Sequence, residues 1–362
     1  MSRFWTTFIR SLALGLWVGG LLSGCGRGNA ASATALPTPV VIEAATEAVS
    51  PTAARATPTA TPLPAAWVVV QPDGAPAAAR AWAEAARPVA QDAGLRWVTV
   101  PDLDTAAAEA PVSALVALPP VPVDAAQAWA AAHPEARVLA WASDPDAVPP
   151  ADALSPNLTV VVSQPLTWEQ RFFLAGYTTV LATQHWRAGL LYTSPPGYAA
   201  QTLAAAFDRG AVYWCGPCVP AYPPMVAYPF TVEVPPGVED AAAWQNAARN
   251  LLAQAPLEAV YLRGEPAAAT IPLFHERGVV VIWDGAPNPD ADLSVYPDPW
   301  GPLDASWLTA WLAGERTGVL PAPWAIEMSN PDAFSPGRAR LVQQLFQALR
   351  AGRVAAEPVG GP

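Results

Sequence analysis

The chain has 362 residues, of which 52% are apolar and only 14% charged, which is enough to bury a sizeable core and excludes wholesale disorder. Its net charge of −11 argues against a nucleic-acid partner, because phosphate contact needs a basic surface. All 19 basic residues are arginine, so Schiff-base chemistry, a phosphate-loop lysine and pyridoxal catalysis are excluded. The three histidines, His133, His185 and His275, are far apart, which argues against a multi-histidine metal site. GxSxG, HExxH and GxGxxG are absent, and neither a catalytic set, a metal nor a cofactor is expected.

In chain order, residues 1–24 read as an export signal. Arg3 and Arg10 flank an aromatic stretch, and an apolar run follows from Leu12 to Leu22. The run is too short for a membrane-spanning helix. It ends in Leu22-Ser23-Gly24-Cys25, which resembles a bacterial lipoprotein signal. That resemblance implies cleavage before Cys25 and lipid on its thiol. Residues 25–65 are mostly Ala, Thr, Pro and Ser, with too few large side chains for a core. They read as a semi-extended tether, or as a glycan-bearing stalk. The body is therefore expected outside the cytoplasm, held on the cell membrane by lipid.

From Trp67 the pattern alternates. Short apolar runs at Trp67–Val70, Leu95–Val100, Ala114–Leu118, Val138–Ala142 and Thr159–Val162 read as strands. Helical stretches separate them, at 77–93 and around 125–132. After Gln164-Pro165, helices are expected at 168–183, 198–209, 241–254 and around 267–277. Strands are expected at Ala188–Tyr192, Met225–Val232, Ala259–Leu262 and Val279–Trp283. The tail adds strands at Leu293–Tyr296 and Trp324–Glu327, and helices at 303–313 and 336–351. Continuous apolar strands between helices indicate parallel sheets covered on both faces. The fold class is α/β, with two doubly wound parallel-sheet lobes of about 100 and 130 residues.

Segments in the second half carry a resemblance. Phe172-Phe173-Leu174-Ala175-Gly176-Tyr177 is similar to the FLAGY segment of the basic-membrane-protein family. Ala205–Ala211 resembles that family's GFEAGA helix end. Arg263-Gly264 stands where the family has a glycine turn, and Gly278–Asp284 resembles its strand ending in aspartate. Asn330-Pro331, Pro336 and a long closing helix follow in the same order. The family comprises lipid-anchored solute receptors of ABC importers, similar to purine-nucleoside receptors. The resemblance implies a type I periplasmic binding protein, two lobes joined by three crossovers. Residues 66–165 and 290–318 then form the N-terminal lobe, and 166–289 and 319–357 the C-terminal lobe. The implied partners are a small-molecule solute and an ABC permease in the cell membrane. Two departures stand out: only Asp73 replaces the family's acidic first-strand loop, and Pro297–Trp300 replace a lysine near the ligand.

The candidate ligand residues are Asp73, Tyr198, Gly264, Trp283, Asp284 and Trp300. A carboxylate after a strand accepts hydrogen bonds from sugar hydroxyls, or is a solvated turn residue. Gly264 lets a backbone approach, or simply turns the chain. Aromatic rings, with Trp168 among them, wall flat ligands, whereas Trp129, Trp244, Trp307 and Trp311 read as packing. Trp214-Cys215-Gly216-Pro217-Cys218 matches the thioredoxin active site in letters, so an extracytoplasmic thiol-disulfide oxidoreductase is the rival reading. Prolines after Cys218 leave no helix for such a nucleophile to cap, and a disulfide or tight loop is expected instead. His185 and His275 read as structural. A surface sensor that kept the binding fold is the third reading.

Overall fold

The computed structural model describes residues 64–109, 111–218 and 226–356. The expected export signal, Cys25 and the tether up to residue 63 lie outside the described residues. The first lobe begins with β1 (Ala66–Val70), α1 (Ala77–Asp92), β2 (Arg96–Val100), α2 (Leu103–Ala107) and β3 (Val112–Ala117). It continues with α3 (Val123–Ala132), β4 (Arg137–Ala142) and β5 (Leu158–Val162). The chain then enters the second lobe with α4 (Trp168–Leu181), β6 (Ala188–Tyr192), α5 (Ala200–Cys215), β7 (Phe230–Glu233) and α6 (Ala241–Gln254). There follow β8 (Ala259–Arg263), α7 (Ile271–His275), β9 (Val280–Asp284) and β10 (Leu293–Pro297). It returns for α8 (Ala305–Leu312) and β11 (Gly318–Pro321), then crosses again for β12 (Trp324–Met328) and α9 (Pro336–Arg350).

Each lobe holds one six-stranded sheet, ordered β2-β1-β3-β4-β5-β11 and β7-β6-β8-β9-β10-β12. The first is parallel throughout. In the second, β12 runs antiparallel to β10. β12 arrives directly from β11 through Ala322 and Pro323, with no helix to bring it round in the parallel sense. The strands are apolar on both faces because both faces are covered. In β1, Val68 and Val70 pack with Ala126 and Trp129 of α3, while Trp67 and Val69 pack with Ala79 of α1 and Trp311 of α8.

The expected lobe boundaries shift at two places. Leu293–Pro297 belongs to the second sheet and Gly318–Pro321 to the first. The crossovers are therefore residues 163–167, 298–304 and 322–323, and all three leave from the carboxyl ends of strands. β11 escapes periodicity because Pro321 and Pro323 bracket its end, as suits an edge strand. The strand expected from Met225 instead begins at Phe230, because Pro229 has no N–H to give the ladder. The helix expected to stop at Arg209 runs to Cys215. The one around 267–277 divides into a 3₁₀ turn, Glu265–Thr270, and the short α7.

Much of the proline is placed by this topology. Among the described residues, each strand is followed by proline within three positions, from Pro72 after β1 to Pro331 after β12. Proline ends the ladder, and its fixed φ removes conformational freedom from the loop that follows. The rim at the carboxyl ends of the strands is thereby stiffened.

Candidate functional site

The site is built where the crossovers leave the sheets. In the first lobe, the ends of β3, β4 and β5 surround a cavity of about 690 Å³ lined by Pro119–Asp124, Trp141, Ser143 and Ser163. A neighbouring cavity of about 350 Å³ lies over the ends of β1 and β2, against Pro72, Pro101 and Asp102. Asp73 stands exposed on the same rim. On the second lobe, Tyr198 is 38% exposed and meets Trp168 edge-on at 6.3 Å. Burial raises the pKa of Tyr198, and the charges of Glu169, Asp144 and Asp146 add to the effect. Asp144 and Asp146 belong to the first lobe, so groups from both lobes act on one another across the gap.

Gly264 has φ +116°, a conformation that favours glycine. A Cβ there would stand 2.9 Å from Cη2 of Trp244, so a turn with no side chain is required by packing alone.

The structure places Asp284 differently from an open ligand acceptor. Its side chain is 5% exposed. Oδ1 accepts from Nη2 of Arg171 at 3.0 Å and Oδ2 from Nη1 of Arg263 at 2.8 Å. Burial alone would raise this carboxyl, but the two guanidinium charges and their hydrogen bonds outweigh it and hold its pKa below the ordinary value. Burial pushes the Tyr261 phenol well above its usual range, and the Asp284 charge adds to the effect. Both guanidiniums lie over the Trp168 ring, at 4.2 Å and 4.1 Å from its centroid. Arg171 also donates from Nη1 to Gln164 in the first crossover.

The tryptophans divide by role. Trp283 is buried in the second-lobe core, among Leu262, Trp244 and Phe274, and forms no wall of the gap. Its neighbour Asp284 points to the opposite sheet face, because side chains alternate along a strand. Trp300 packs against Trp82 and Trp141, with ring centroids at 5.5 Å and 4.8 Å. It pins the second crossover to the first lobe. Trp129, Trp244 and Trp311 are buried in the cores, and Trp307 stacks half-buried on Trp311.

Cys215 and Cys218 are joined in a disulfide. Cys215 is the last residue of α5, at the helix end where the dipole is negative. Cys218 is fully buried. A thiolate is favoured at the opposite helix end, so neither cysteine has the setting of an activated nucleophile. His185 bonds Glu258, and His275 bonds Asp292 at 3.0 Å. Among the described residues, no cluster of three or more His, Cys, Asp and Glu side chains is placed to hold a metal ion. Among them too, no helix is long and apolar enough to cross a membrane.

Sequence reasoning missed Arg171 as a site residue. Its signal was a charge at the head of a run, Phe172–Ala175, that can only be buried. A cation carried into a core needs an anion there.

No family model matches this sequence, and no curated protein matches it either. Solved structures do. An ABC transporter system solute-binding protein from Conexibacter woesei is 17% identical, with TM-score 0.51, covering 82% of this chain and 99% of its own. A transcriptional activator of the comK gene from Bacillus halodurans is 11% identical, with TM-score 0.47, covering 80% and 98%. An ABC transporter system solute-binding protein from Aeropyrum pernix K1 is 12% identical, with TM-score 0.45, covering 81% and 93%. With its two α/β sheets and three crossovers, the chain has the fold of a type I periplasmic binding protein.

Proposed function

We propose that this chain is an extracytoplasmic, lipid-anchored solute-binding protein of an ABC importer, of the basic-membrane-protein type. It takes a small solute between its lobes by hinge closure and hands it to a permease in the cell membrane. No covalent chemistry is required, because burial and hydrogen bonding drive closure. The supporting observation is the arrangement of the strand ends. All three crossovers leave from the carboxyl ends of strands, where open α/β sheets bind ligands. Each crossover contains proline, and the Asp298 N–H ties the second to the Pro323 carbonyl of the third at 2.8 Å. The hinge is thus short and stiff, which favours rigid-body motion of the lobes over bending within them. Tyr198, Trp168 and Asp73 are the proposed solute contacts that remain accessible.

A nucleoside-like solute is the first class to test. A purine and pyrimidine nucleoside panel is expected to raise the thermal midpoint for at least one member. Ligand at about 100 times its Kd adds about 2.7 kcal/mol to stability. No shift with any member would remove the nucleoside class.

The thiol-oxidoreductase reading predicts insulin reduction that depends on Cys215. The position of Cys215 at the carboxyl end of α5 and the burial of Cys218 lead us to expect none. Wild type and Cys215→Ser should be equally inactive, and activity lost in Cys215→Ser would reverse the ranking.

A further inference from the structure

Asp284 is fully engaged. Arg171 and Arg263 bond its carboxylate, one on each oxygen. Two guanidiniums on one carboxylate leave one positive charge over. Among the described residues, Nε of both arginines is buried without a hydrogen-bond partner, and the Arg171 side chain is only 9% exposed. Arg263 keeps 16% of its side chain exposed, at the carboxyl end of β8 and next to the Gly264 turn. Trp168 lies under both guanidiniums and Asp284 holds a terminal nitrogen of each, so the pair has little freedom to swing into water. Excess charge held away from solvent is costly unless an anion completes it.

We propose that Arg171 and Arg263, set by Asp284 and Trp168, form an anion subsite in the gap, and that the solute carries a carboxylate or a phosphate ester. This rests on the solute-binding reading above. It inverts the polarity expected from the sequence. An accessible Asp284 would accept hydrogen bonds from neutral hydroxyls, whereas here the aspartate orients donors and the donors are left over.

The test uses matched pairs on the purified protein by calorimetry: nucleosides against their 5′-monophosphates, and hexoses against their uronates. The anionic member of at least one pair should bind about ten- to a hundredfold more tightly than its neutral partner. The two arms separate phosphate from carboxylate. Arg263→Met should abolish that preference while leaving Arg171 and Asp284 as a balanced pair, and its denaturation midpoint reports that the fold is kept. Equal binding of neutral and anionic members would overturn the subsite and leave the solute-binding reading standing. A preference that survives in folded Arg263→Met would also overturn the subsite. Binding of no member, in either arm, would count against both readings.

Discussion

Gly176→Ala is expected to destabilise the protein by about 3 kcal/mol, read as a lower denaturant midpoint at unchanged slope. Helices α4 and α5 pack along their length, and two glycines set their separation. A Cβ on Gly176 would overlap the carbonyl oxygen of Phe207, and a Cβ on Gly210 would overlap that of Phe173. Both obstacles are helix backbone and cannot rotate away. Alanine gains about 1 kcal/mol over glycine in helix propensity, so the clash must outweigh that gain. Gly210→Ala should cost a similar amount, and the double variant less than the sum, because helices forced apart by one methyl already have room for the second. Gly337→Ala, in α9, where an added Cβ would meet only the Ser335 hydroxyl at an ordinary 3.8 Å, is the control and should be neutral or stabilising. A Gly176→Ala change within about 0.5 kcal/mol of zero would refute this contact.

Those glycines also show what was legible in the sequence and what was not. Gly176 lies in the Phe172–Tyr177 segment and Gly210 in the Ala205–Ala211 segment, the two stretches that carry the family resemblance. In the structure they are two halves of one helix–helix contact. The two stretches thus form one packing unit in the structure, and neither says anything of the solute. Helix length was misjudged at the same place, because Gly210 read as a stop is a point of close approach. The parallel sheets were legible because burial on both faces leaves unbroken apolar runs such as Trp67–Val70. The edges were not: β11 ends in proline, and β7 starts just after one, so neither shows a full strand pattern. The site was half legible. Asp284 announces itself as an acid closing an apolar strand, but its partner Arg171 is 113 positions away, and no local pattern joins them.

Asp284→Asn is expected to cost about 3–5 kcal/mol, because it leaves two buried guanidiniums without their anion. An aspartate that only met solute would give the opposite result: binding lost and the unfolding midpoint unchanged. The pH dependence separates the two further. The folded pKa of Asp284 is depressed, so its contribution is fully present above the unfolded value of about 3.9 and is lost as pH falls through the folded pKa. The gap in stability between wild type and Asp284→Asn should therefore stay constant between about pH 5 and 8 and narrow only in acid. Asp284→Asn should also be worse than Arg263→Met, although each removes one charge from the cluster. The methionine variant leaves one cation facing one anion, whereas the asparagine variant leaves two cations over one tryptophan, with like charges repelling at short range. If Arg263→Met proved the more damaging of the two, the aspartate would not be the keystone of the cluster, and the charge count behind the anion subsite would have to be reversed.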